Sequence, residues 1–104
     1  SESDIDVLSG VAANGHTPQR ILDELAASAE ADIRRGVILN RKAKRITLLP
    51  LLEDPYYLHR LMLVANPELK ERDKWPLCED PDSSVRFAAF RWFAELMKGT
   101  EEFA

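Results

Sequence analysis

The sequence predicts an all-α solenoid of about three and a half 26-residue repeats, each an α-helix followed by a shorter or kinked, partly 3₁₀ helix. Three observations carry that expectation. One set of residues recurs at a single offset, Asp-Pro pairs open helical patterns, and prolines interrupt the second element of two units.

The offset is 26 residues. It relates Asn14, Asn40 and Asn66, then Leu25, Leu51 and Leu77, then Arg34, Arg60 and Arg86. The pairs Asp54 and Asp80, Pro55 and Pro81, and Pro50 and Pro76 share it. Periods of this size belong to stacked arrays, because one unit cannot bury its apolar face alone. The units run approximately over 5–28, 29–54 and 55–80, with a terminal capping helix over 81–99 and tails at 1–4 and 100–104.

Each first helix has a start and a stop. In "EDPYYLHRLMLVAN" Asp54 is placed to cap the helix and Pro55 to occupy its first position, where a missing N–H costs nothing. Asp80 and Pro81 repeat the device, and Ser28 holds the equivalent place before "AEADIRRGVILN". The recurring Asn is expected to end the helix in the left-handed conformation that Asn tolerates. The second element of the first unit, "HTPQRILDELAAS", is expected to be capped by Thr17, with Pro18 at the first helical position and Ile21, Leu22 and Leu25 at helical spacing. In the next two units Pro50 and Pro76 fall inside the segment and predict a short, kinked or 3₁₀ element. The last helix, "SSVRFAAFRWFAELMKG", runs to Met97, with Lys98 and Gly99 as its expected stop. Stacking would build one core from Val11, Val37 and Leu63 with Leu25, Leu51 and Leu77.

Composition narrows the function classes. Hydrophobic residues make up 45% and charged residues 31%, the balance of a globular chain and not of a disordered tail. No apolar run reaches the roughly 18 to 20 residues that span a bilayer, and the N-terminal segment is acidic where a signal peptide would be basic. A cytoplasmic location is expected. Cys78 is the only cysteine, which excludes an internal disulfide or a thiolate cluster and points to a small buried side chain. The glycines at 10, 15, 36 and 99 form no phosphate loop. His16 and His59 have no nucleophile or paired carboxylate at motif spacing, and Glu53-Asp54 and Glu79-Asp80 are accounted for as helix starts. The expectation is no catalytic residue, no metal, no cofactor and no enzyme.

The stretches "DPYYLHRLMLVANP", "DPDSSVRFAAF" and "VAANGHTPQRILDELA" resemble the variant leucine-rich repeat family, whose units place Asp-Pro, Val-Arg and Asn-Pro at fixed offsets. The resemblance covers roughly residues 5–93 and implies a HEAT- or armadillo-like array, an α-helix packed on a shorter, often 3₁₀, helix in a right-handed superhelix. A cysteine-ligated iron–sulfur cluster known beside one member's repeats is not carried over, since Cys78 stands alone.

Two features outside the repeat pattern are candidates for binding. The first is basic: Arg34, Arg35, Arg41, Lys42, Lys44 and Arg45 occur with no acid between them. They could meet the DNA backbone, although the net charge of -4 and the lack of an aromatic in the stretch weigh against it. The second is aromatic: Tyr56 and Tyr57, Trp75, then Phe87, Phe90, Trp92 and Phe93. The last helix is either deeply buried or exposes an aromatic stripe that docks another protein or another copy of the chain. Within the Arg34, Arg60 and Arg86 series each guanidinium is expected to bridge a carboxylate or helix-end carbonyls. The resulting expectation is a protein-interaction scaffold contacting its partner through Arg34, Arg35, Arg41, Lys42, Lys44, Arg45, Tyr57 and Trp92. The alternative is nucleic-acid binding through 34–45.

Overall fold

Ser28, Asp54 and Asp80 turn the chain in the same way. The Ser28 hydroxyl accepts the Glu30 N–H at 3.1 Å, and Asp54 and Asp80 accept the Tyr56 and Asp82 N–H groups at 2.9 Å. Each closes a two-residue side-chain turn, so the following helix begins three residues later and not at the proline. The expected capping is therefore corrected: Pro55 and Pro81 lie before their helices, and Asp82, whose Oδ1 accepts the Ser84 and Val85 N–H groups at 2.8 and 3.1 Å, caps the last one.

The computed structural model describes residues 2–101. Its elements are α1 (Glu2–Ala13), α2 (Gln19–Ala26), α3 (Ala31–Leu39), α4 (Arg45–Leu48), α5 (Tyr57–Val64), α6 (Glu71–Lys74) and α7 (Ser83–Glu101), with 3₁₀ helices Leu49–Glu53 after α4 and Trp75–Glu79 after α6. No strand occurs among the described residues. Pro50 and Pro76 each stand at the second position of a 3₁₀ helix, where the shorter hydrogen-bond ladder has no place for their missing N–H. The chain is elongated, 55 × 28 × 16 Å.

Other boundaries differ from the expectation. α1 takes in residues 2–4, and α7 passes through Gly99 to Glu101, so both helices run into the expected tails; residues 1 and 102–104 lie outside the described residues. Thr17 does not cap α2, which follows Pro18. Its hydroxyl donates instead to the Val11 carbonyl at 2.6 Å, tying the turn to the end of α1.

The asparagines are not left-handed, because no non-glycine residue among those described has a positive φ. Asn14, Asn40 and Asn66 each accept the N–H two residues on, from His16, Lys42 and Glu68, at 2.8 to 2.9 Å. Asn40 also donates through Nδ2 to the Ala12 and Asn14 carbonyls at 2.8 and 2.9 Å, capping α1 from the next helix pair. At the end of α1 the unpaired carbonyls are thus satisfied from another helix rather than by a local backbone reversal.

Two apolar clusters form the core. The larger holds Ala12, Leu22, Val37, Ile38, Ala43, Leu48, Leu51, Leu63 and Leu69, and the smaller holds Val64, Leu77, Val85 and Ala89. Leu22, Val37, Leu48 and Leu63 are fully buried, each contributing roughly 1.5 to 3 kcal/mol. Val11 and Leu25, in the first pair, are half-buried only. α1 and α3 approach so closely that a Cβ on Gly36 would lie 2.7 Å from the Ala12 Cβ and 2.9 Å from the Ser9 carbonyl oxygen. Glycine is required there for lack of space.

Candidate functional site

The arginine series forms a ladder between successive helix pairs. Arg34 donates through Nε and Nη2 to both oxygens of Asp54, at 2.7 and 3.3 Å, while its Nη1 donates to the Ser28 carbonyl at 2.9 Å. Arg60 repeats this on Asp80 at 2.7 and 3.1 Å and on the Asp54 carbonyl at 2.6 Å. The planar fork matches the carboxylate geometry. Arg86 keeps the carbonyl bonds, to Asp80 and Pro81 at 2.7 and 3.0 Å, but its Nε and Nη2 meet no carboxylate within 4 Å among the described residues.

A buried polar group extends the ladder at its second rung. His59 is fully buried in α5, with Nδ1 3.1 Å from Asp54 Oδ2 though off the line of a good hydrogen bond, and its Nε2 accepts from Arg35 Nε at 3.3 Å. Burial raises the Asp54 pKa, but the Arg34 fork, the Tyr56 N–H and His59 more than offset it and bring it down to about 2. Arg35 reaches Asp32 at 3.4 Å and lies 5.7 Å over the Tyr56 ring. Neither a serine nor a cysteine is bonded to His59, and no cluster of three or more metal-ligating residues occurs among the described ones.

The structure does not bring the eight candidate residues into one site. Arg34 is engaged with Asp54, and Arg45 is bound by Asp73 through two bonds of 2.7 and 2.8 Å. Asp73 is held well below the usual carboxylate range, first by that Arg45 fork. Arg41, Lys42 and Lys44 are exposed on a turn whose backbone is pinned by Gln19, which donates to the Lys42 carbonyl at 2.6 Å and accepts the Lys44 N–H at 3.3 Å. Tyr57 is 39% exposed beside Tyr56. Trp92 is half-buried, with Lys74 Nζ 4.0 Å over its ring and Phe93 edge-on at 4.9 Å.

What the structure does expose is an aromatic face on α7. Val85, Ala89 and Phe93 turn inward and are buried, which leaves Phe87 at 65% and Phe90 at 58% exposure. Of the two alternatives for this helix, the exposed stripe is the one observed. Beside it runs a groove of about 400 Å³ between α5 and α7, lined by Leu61, Val64 and Ala65 on one side and Phe87, Ala88 and Trp92 on the other. Trp92 lines this groove while it packs on Phe93 and Lys74, and Phe87 and Phe90 are the aromatic side chains of the helix left more than half exposed. Cys78 is half-buried against the smaller core cluster, and burial pushes its thiol up.

A HEAT repeat family model matches residues 75–100, the span of the second 3₁₀ helix and α7. The chain therefore carries a HEAT-like helical repeat at this end. No curated protein and no solved structure matches the chain. No helix among the described residues is long and apolar enough to cross a membrane.

Proposed function

We propose that the chain is a non-catalytic scaffold whose helix pairs stack as a right-handed solenoid, similar to variant leucine-rich repeats, and that it binds another protein on the outward face of α7. The observation that carries this reading is the pair Phe87 and Phe90, two large aromatic side chains more than half exposed beside an apolar groove. Aromatic residues are enriched in the buried centres of protein contacts, where they supply large area at low conformational cost. HEAT repeats commonly serve protein–protein contacts, and the match falls on this helix.

Site-specific photocrosslinking tests it. With p-benzoylphenylalanine replacing Phe87 or Phe90, protein adducts are expected in the cell of origin, and far fewer with the same group replacing the exposed Arg20. Equal or absent adducts at all three positions would remove the α7 face as a binding surface.

A further inference from the structure

Gly36 identifies the face by which one helix pair meets the previous one. It packs on Ser9 and Ala12 of α1. Advanced by the period of 26, Ser9 and Ala12 become Arg35 and Ile38, then Leu61 and Val64, then Phe87 and Phe90. The register holds in space, because Leu61 and Val64 line the groove with Ala88, the counterpart of Gly36 two periods on. Phe87 and Phe90 therefore occupy the positions that earlier helices turn towards their successor.

The other end of the chain carries the matching half. Counting back from Gly36 reaches Gly10, and a Cβ built there has nothing within 4 Å. One turn away Val7, the counterpart of the buried Ile33, is 64% exposed. The α1 face thus presents bare backbone flanked by an uncovered aliphatic side chain, where α7 presents two protruding rings.

Charge agrees with shape. The open fork of Arg86 lacks the carboxylate that Asp54 supplies to Arg34 and Asp80 to Arg60. In the same register the residue that precedes Ser28 by one period is an acid, Glu2, and Asp6 follows one turn later in the sequence. At the α7 end Arg86 is joined by the exposed Arg91, with the exposed Glu95 one turn beyond it.

From these juxtapositions we infer that the protein received by the α7 face is a second copy of this chain, stacked head to tail with its α1 in the place of the next first-helix. The inference rests on the reading of α7 as a binding face and names its occupant. Such a contact joins two different surfaces, so it leaves a free face at each end and adds copies in line instead of closing a symmetric dimer.

Sedimentation velocity over a concentration series tests it, with Phe90→Glu to block one face and Gly10→Arg to block the other. Both positions are open, so circular dichroism should match the wild type and neither melt should fall markedly below it, with Gly10→Arg gaining helix propensity. The wild type should grow with concentration, and each variant should associate about 30-fold more weakly or not at all, the effect of losing one strong contact residue. An equimolar mixture of the two variants should form a dimer and nothing larger, because it retains a single compatible pair of faces. Three results would overturn the inference: a wild type that stays monomeric throughout, a Gly10→Arg variant that associates like the wild type, or a mixture that stays monomeric. If the wild type is monomeric while crosslinks from position 87 reach a different protein, the second copy is excluded and the binding face stands. If neither occurs, both fall.

Discussion

Arg34 and Asp54, 20 residues apart in sequence, meet as a two-bond fork at 2.7 and 3.3 Å with the carboxylate shielded from solvent. The pair joins α3 to the turn that precedes α5. Its contribution depends on pH in a definite direction.

Asp54 has a folded pKa of about 2, below its ordinary value of 3.8. A depressed acid stabilises the fold above the unfolded pKa and ceases to do so as pH falls through the folded one, so the loss occupies the window from about pH 4 to about pH 2. The linked free energy is roughly 2 kcal/mol. Denaturant unfolding of wild type and Asp54→Asn at stepped pH should give a difference near that size at pH 7, shrinking across the window. A difference that stays constant from pH 7 to pH 2 would contradict the depressed carboxyl.

Asn40 joins three backbone groups, the Ala12 and Asn14 carbonyls and the Lys42 N–H. Asn40→Ala should cost about 2 to 3 kcal/mol, since buried groups left unpaired lose about 1 to 3 kcal/mol each and part of this set can recruit water. Asn40→Asp keeps the acceptor but sets a carboxylate against two carbonyls, and should cost at least as much. Urea midpoints decide the matter, and an Asn40→Asp variant as stable as wild type would show that the Nδ2 bonds contribute little.

The same residues show how far the sequence could be read. The period located Asn40, the Arg34 series and the two 3₁₀ segments because each repeats a backbone requirement. It could not tell a left-handed stop from a cap on another helix, since that depends on where α1 lies. Two buried polar residues stand at core positions of the period: His59, whose sequence neighbours leave a surface or a structural role open, is in register with Ile33 and Val85, and Lys74 with Leu22 and Leu48. The basic run gave the opposite error. Adjacent in sequence, its members diverge in space because Asp54 and Asp73 arrive from later segments to bind Arg34 and Arg45. Phe87 and Phe90 were legible as a stripe, but their exposure depends on what stands beside α7.

Gly36→Ala sets two effects against each other. Alanine gains about 1 kcal/mol of helix propensity, but its methyl would sit 2.9 Å from the Ser9 carbonyl oxygen, which is backbone and cannot rotate away. Overpacking of this kind costs about 1 to 3 kcal/mol. A net loss near 1 kcal/mol is expected by thermal unfolding, whereas Gly10→Ala should stabilise. If both substitutions stabilise, α1 and α3 are not in close contact.

Duplex DNA should not bind with the steep salt dependence of a phosphate reader. Of the six cations in 34–45, Arg34 and Arg45 are held in forks and Arg35 lies between Asp32, His59 and the Tyr56 ring. Only Arg41, Lys42 and Lys44 are exposed, within a chain of net charge -4. Fluorescence anisotropy at low and physiological salt is the measurement, with Arg41→Glu and Lys42→Glu combined as a control. Tight binding abolished by that charge reversal would overturn the assignment.

Lys74 is 1% exposed, its ammonium 4.0 Å over the Trp92 ring, at a position that Leu22 and Leu48 fill in the earlier pairs. Burial lowers its pKa, and the nearby Asp73 only partly restores it. The ring offsets part of the desolvation with about 1 to 2 kcal/mol of cation–π attraction. Lys74→Met removes both and supplies a flexible apolar chain of similar length, so stability should change by less than about 1 kcal/mol or rise. The cation–π component is isolated by a double-mutant cycle: Trp92→Leu should cost about 1 kcal/mol more in wild type than in the Lys74→Met background. Because the folded pKa is depressed, the unfolded chain binds the extra proton, and wild-type stability should rise relative to Lys74→Met as pH climbs through the alkaline window below 10.5. A cycle with no coupling would mean that the ammonium and the ring are merely adjacent, and a relative stability that falls with alkaline pH would mean that another group holds the charge.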